Sequence, residues 1–174
     1  MIGILGGTFD PVHVGHLHAA ECVRRVLAPE RVVLVPCATP PHTGRPDLSP
    51  AGHRVAMLRS AAESREWLQV SEIEIARGGI SYTVDTLREL AHGVPPIEPV
   101  FIMGMDSLFE IHTWKSHVEL LREFDLVAVD RPGRDLAQAR ELLDPEVVDR
   151  LVTVPSANGA AAGPPTPPPG AGGR

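Results

Sequence analysis

Short apolar runs alternate with amphipathic stretches along most of the chain. Residues 2–5 (Ile-Gly-Ile-Leu) predict a first strand, and the apolar spacing over 17–27 predicts a helix. Residues 31–36 (Arg-Val-Val-Leu-Val-Pro) are apolar without alternation, the mark of a strand covered on both faces of a parallel sheet. Ser49-Pro50 supplies an N-cap and a first-turn proline for a helix over 51–64. Alternation over 68–75 predicts a strand and the pattern over 83–91 a helix. Residues 99–103 and 125–130 predict two further buried strands, with a helix over 114–124 between them. Asp135 and Gln138 form a capping-box pattern for a helix over 136–143, and 150–154 predicts a last strand.

Strands that alternate with helices of this length predict an α/β fold: a Rossmann-like parallel sheet with helices on both faces, joined by right-handed crossovers. Ligands of such sheets bind beyond the carboxyl ends of the strands. The segments richest in polar chemistry follow Leu5, Val35, Met103 and Val129, all at such ends, so one shared site is expected. The apolar pattern stops at Val154. More than half of the last twenty residues are Gly or Pro, which predicts one domain over 1–154 and a disordered tail over 155–174.

Composition narrows the classes. A net charge of −6 argues against a general nucleic-acid grip. No apolar stretch approaches the roughly 20 residues of a membrane span, and the N-terminal apolar run lacks the basic flank of a secretory signal. Cys22 and Cys37 define no disulfide framework and are expected as buried thiols in a reducing cytoplasm. Lys115 is the only lysine, so cationic chemistry falls almost entirely to arginine.

The densest chemistry lies in Gly6-Gly7-Thr8-Phe9-Asp10-Pro11-Val12-His13-Val14-Gly15-His16. A strand, a glycine bend and a helix N-terminus are the parts needed to hold a phosphate. Glycine permits close backbone approach, and the first helical turn offers N–H groups at the positive end of the dipole. His13 and His16 lie about one turn apart and are able to face one ligand. The glycine spacing fits neither a dinucleotide fingerprint nor a P-loop. Capping histidines, or half of a metal pair, are the other readings, although no Cys/His/Glu cluster at ligand spacing accompanies them.

The segment resembles the signature of nucleotidyltransferases with an HxGH motif. Pro40-Pro41-His42, Arg54 with Met57-Leu58, Ser81-Tyr82-Thr83-Val84-Asp85-Thr86-Leu87, Met103-Gly104-Met105-Asp106, Trp114 and Arg131-Pro132-Gly133 further resemble the nicotinate-nucleotide adenylyltransferases, in that family's order. The resemblance implies a Rossmann-like fold that binds ATP with Mg²⁺ and transfers adenylate to nicotinate mononucleotide, releasing pyrophosphate, a step of NAD biosynthesis. It implies that His13 and His16 are catalytic and contact the ATP phosphates. Gly7, Thr8, Phe9, Gly15, Gly104, Asp106 and Arg131 would bind ATP. His42, Arg54, Tyr82, Thr83 and Trp114 would bind the acceptor, with Trp114 stacked on the pyridine ring. Charge, hydropathy and the lack of a ligand cluster add the expectation of no resident metal ligands, no nucleic-acid partner and no membrane.

Other outcomes stay open at this level: nicotinamide mononucleotide as acceptor, a sibling HxGH transferase, or a nucleotide-binding protein of impaired activity. Thr43 stands where the family usually places a lysine, with Arg45 as a substitute. Nothing after Val154 resembles the family's Ser-Ser-Thr-x-Ile-Arg segment. A shifted reading frame or a true divergence would each give such a tail. Losing one preorganised donor of that kind costs on the order of 10²–10³ in rate.

Overall fold

The computed structural model describes residues 1–41, 47–130, 148 and 151–155. The expected helix over 136–143 and the tail beyond Pro155 lie outside the described residues, as do His42, Thr43, Arg45 and Arg131.

The first half of the chain runs β1 (Ile2–Gly7), α1 (Val14–Leu27), β2 (Val32–Pro36), α2 (Ala51–Ala62), β3 (Leu68–Val70), α3 (Ile73–Arg77) and α4 (Thr83–Ala91). It continues with β4 (Pro99–Gly104), α5 (Met105–Phe109), a 3-10 turn (Ile111–Thr113), α6 (His117–Glu123), β5 (Asp125–Val129) and β6 (Leu151–Val154). Six strands among the described residues form one parallel sheet in the order β3-β2-β1-β4-β5-β6. The order reverses between β1 and β4, where Ile2 to Leu5 run beside Pro99 to Ile102. At such a reversal the crossover helices leave toward opposite faces and open a crevice above the strand ends.

Two apolar layers cover the sheet, and the period-two geometry of strands assigns each residue to one of them. Ile4, Val33, Val35, Phe101, Met103, Leu126 and Ala128 face one layer with Val84 and Leu87 of α4, Leu108 of α5 and Leu120 of α6. Leu5, Val32, Leu34, Val100, Ile102, Val127 and Val129 face the other, with Ala20 and Val23 of α1 and Leu58 of α2. Gly3 is closely covered by this second layer: a Cβ there would stand 2.9 Å from Ile102 Cδ1, which would have to shift.

Three expected elements differ. The first helix begins at Val14, three residues early, because His13 takes an extended N-cap conformation (φ −141°, ψ 169°). Val14 is left exposed. The expected strand over 68–75 keeps only Leu68–Val70, and Ile73–Arg77 turns helical. That turn buries Glu74, whose Oε1 accepts from the Thr86 hydroxyl at 2.6 Å. The expected helix over 114–124 begins only at His117, after Ser116 in the left-handed region (φ 49°). Trp114 and Lys115 therefore stand on a turn. Ser49 does not cap α2 with its side chain; Pro50 holds the N-cap position.

Candidate active site

Two chambers open at the strand ends and share a wall. The first, about 540 Å³, is bounded by the start of α1 and the ends of β1, β4 and β5. His13, Gly15, His16, Gly104, Asp106 and Asp130 line it. The second, about 280 Å³, lies toward α4 and is lined by Thr8, Cys37, Pro40, Glu74, Ser81, Tyr82, Thr83, Glu110 and Lys115. Gly6, Gly7, Phe101, Ser107 and Trp114 line both. The shared wall is thus the C-terminal ends of β1 and β4 plus two side chains beyond them.

The α1 chamber is organised by its histidines. The His13 N–H donates to His16 Nδ1 at 3.2 Å. The two rings stack with centroids 3.7 Å apart. A ring nitrogen that accepts carries no proton, so neutral His16 holds its proton on Nε2 as a donor. Burial, and then the neighbouring His13, push the His16 pKa down to about 4. At neutral pH it is an uncharged donor. Gly15 makes room for this pair, since a Cβ there would meet His13 Nδ1 at 3.0 Å and Cε1 at 3.1 Å.

The bend before α1 is tied down from below. Phe9 is buried at φ 50° with its ring edge-on to His16, centroids 4.8 Å apart. A Cβ on Gly7 would meet the same ring at 3.3 Å. Arg54 is 1 % exposed, and its guanidinium donates to Thr8 O at 2.8 Å and Ser49 O at 3.0 Å. Asp10 Oδ2 accepts the Ser49 N–H at 2.9 Å. Arg54 and Asp10 thereby clamp the bend to the segment that leads into α2.

The α4 chamber is fixed by backbone ties around Ser81. Its Oγ accepts the Ala38 N–H at 2.9 Å and its N–H donates to Thr39 O at 2.9 Å. The Cys37 N–H in turn donates to Gly7 O at 2.9 Å. Tyr82 is the N-cap residue of α4, so the helix's first turn faces this chamber. Burial pushes the Cys37 thiol pKa up, partly offset by the Thr8 hydroxyl and Arg54. Trp114 is half-buried, edge-on to Phe101 with centroids 5.9 Å apart.

The structure brings most of the sequence-predicted residues to this double cleft, but not all of them. Gly7, His13, Gly15, His16, Gly104 and Asp106 line the α1 chamber. Thr8, expected beside ATP, lines the α4 chamber. Phe9 lines neither: its ring lies beneath the bend, supporting Gly7 and His16. Arg54, expected at the acceptor, is spent on backbone carbonyls and also lines neither. Tyr82 and Thr83 line the α4 chamber, and Trp114 lines both. Sequence reasoning missed His18 at the α1 chamber and Cys37, Glu74 and Lys115 at the α4 chamber. The uniqueness of Lys115 was the one available signal for these.

Fold and cleft together define a Rossmann-like α/β protein whose strand-end crevice is divided into two adjoining compartments. The cytidylyltransferase-like family model matches residues 4–163, and the chain belongs to that family of nucleotidyltransferases. A protein of Symbiobacterium thermophilum named a probable nicotinate-nucleotide adenylyltransferase is 46% identical over 142 residues, covering 82% of this chain and 68% of the relative. Proteins of the same name from Geobacter sp. and Desulfatibacillum aliphaticivorans are 39% and 45% identical, covering 90% and 75% of this chain. The chain spans 73% and 60% of their lengths. The solved Plasmodium falciparum nicotinic acid mononucleotide adenylyltransferase, complexed with APC, superposes with a TM-score of 0.71 at 17% identity. That match covers 91% of this chain and 76% of the other. It establishes the shared fold.

Proposed function

We propose that the chain transfers adenylate from ATP to nicotinate mononucleotide, yielding nicotinate adenine dinucleotide and pyrophosphate. The observation that carries this reading is the pair of chambers meeting along Gly6 and Gly7, which suits two phosphorylated substrates brought end to end. The names of the relatives support the same choice.

ATP takes the α1 chamber, with adenosine toward Gly104 and Asp106 and the triphosphate at the N-terminus of α1. The mononucleotide takes the α4 chamber, its pyridine ring against Trp114 and its ring carboxylate toward Tyr82 and Thr83. An oxygen of the mononucleotide phosphate attacks the α-phosphorus of ATP. The bond from that phosphorus to the bridging oxygen breaks, and its electron pair leaves on pyrophosphate. The attacking phosphate is already ionised at pH 7, so no residue removes a proton. The protein's part is alignment of two anions and stabilisation of the leaving charge. Nε2–H of His16, the His13 ring and the first N–H groups of α1 supply donors there. Mg²⁺ carried in with the nucleotide would neutralise charge developing on its phosphates in the chamber lined by His13 and His16. Glycine at position 6 keeps the wall shared by the two chambers free of a side chain, and glycine at position 7 leaves room for the Phe9 ring that supports the bend.

Pyrophosphate release from ATP and Mg²⁺, with nicotinate or nicotinamide mononucleotide supplied separately, tests the reading. Turnover with the acid acceptor is expected, and His16→Ala is expected to lower kcat by on the order of 10²-fold with the fold intact. ATP binding without turnover on either acceptor would favour a nucleotide-binding protein instead.

A further inference from the structure

Lys115 is the only lysine of the chain and, among the described residues, the only Lys or Arg lining either chamber. It follows Trp114 on the turn before α6 and precedes Ser116, whose left-handed backbone ends that turn. Its Nζ lies 2.8 Å from Asp85 Oδ2, in the first turn of α4, and 4.4 Å from the Tyr82 ring centroid. The ammonium is therefore held at the rim of the α4 chamber, between a carboxylate outside its lining and an aromatic face within it. An ammonium has three N–H donors, and Asp85 takes only one.

Two carboxylates, Glu74 and Glu110, also line that wall, opposite in effect to the first turn of α4 and to Lys115. The ion pair of Lys115 is with Asp85. An aromatic ligand lying against Trp114 brings its ring substituents within reach of the lysine stem, one residue along the chain. A phosphate on the same ligand must instead face Gly6 and Gly7, where the two chambers join.

We propose that Lys115 is the specificity-determining residue of this chamber, selecting an acceptor with a carboxylate on its aromatic ring over the uncharged amide. The inference deepens the adenylyl-transfer reading and rests on it. Asp85 is the resting partner that keeps the ammonium extended, and the ligand carboxylate takes a second of its donors.

The test compares wild type, Lys115→Met and Lys115→Arg with the acid and amide mononucleotides at saturating ATP. Lys115→Met is expected to lower kcat/KM for the acid about 5- to 10-fold, through KM, the size expected of a charged hydrogen bond at a half-exposed site. The amide value is expected to stay within about twofold, and Lys115→Arg to keep part of the preference. Equal losses for both acceptors would assign Lys115 to the phosphate or to structure and overturn the proposal, as would no loss for either. A second measurement needs no turnover. Lys115 carries the only ε-amine, so reductive methylation followed by mass spectrometry reports on it alone, with the Met1 amine as internal control. Protection by the acid mononucleotide at concentrations where the amide gives none is expected. Equal or absent protection overturns the inference even for an inactive chain, whereas absent turnover with selective protection would count against the transfer reading only.

Discussion

The backbone N–H of His13 is bonded to Nδ1 of His16 at 3.2 Å, and this single contact sets the chemistry of both ends of the motif. It fixes the His16 tautomer, turns Nε2–H outward, and holds the first turn of α1 against the glycine bend.

A pH dependence follows. With its pKa lowered to about 4 from 6.5, folded His16 binds fewer protons than unfolded His16 between those values. Stability therefore rises with pH across that window and is lost as pH falls from about 6.5 toward 4. The group is only half-buried, so after solvent screening the loss is about 1–2 kcal/mol. Urea denaturation at pH 7 and pH 4.5 is expected to show this difference, and His16→Gln to reduce it. An unchanged pH slope in the variant would refute the assignment.

Gly15→Ala separates helix stability from site geometry. Alanine favours a helical position over glycine by about 1 kcal/mol. The added methyl, however, would lie 3.0 Å from His13 Nδ1 and displace the ring. A thermal midpoint equal to or above wild type is expected, with kcat/KM for ATP at least about 10-fold lower. Full activity would mean that the His13 ring position is not needed.

Arg54→Met tests the clamp beneath the bend. The substitution keeps the apolar stem but removes the donors to Thr8 O and Ser49 O in a site that is 1 % exposed. A loss of about 3 kcal/mol in unfolding free energy is expected from two unsatisfied buried carbonyls. Lysine, with a single point charge in place of a fork, is expected to restore less than half. A loss under about 0.5 kcal/mol would show that water replaces the guanidinium.

Trp114→Ala is expected to raise KM for both substrates, because the side chain lines both chambers, with the larger rise for the mononucleotide. Steady-state kinetics with each substrate varied in turn decides this. Wild-type KM for both would leave Trp114 as packing against Phe101.

Much of the fold was legible because it is local. The runs at 31–36 and 99–103 are apolar at every step, and a strand covered on both faces has no polar side to show. Strand order was not legible, since pairing of β1 with β4 joins residues almost a hundred positions apart. The failure at 73–77 is instructive: Glu74 interrupts no pattern in the sequence, yet its bond to Thr86 makes it an interior residue. Likewise Phe9 and Arg54 belong to recognisable motifs but act on the bend from beneath, a distinction only packing can make. His18 and Cys37 stand just beyond the histidine motif and the end of β2, yet only the fold shows that both line the cleft.

The common wall of the two chambers has a further consequence for how ligands meet. Molecules seated on opposite sides of Gly6 and Gly7 no longer encounter each other by diffusion; each confronts the other at the effective concentration set by a fixed scaffold. The crevice between β1 and β4 is in that sense a mixing device with no moving part: a Cβ added at Gly6 would press on Phe101 in the common wall, and one at Gly7 on the Phe9 support beneath it.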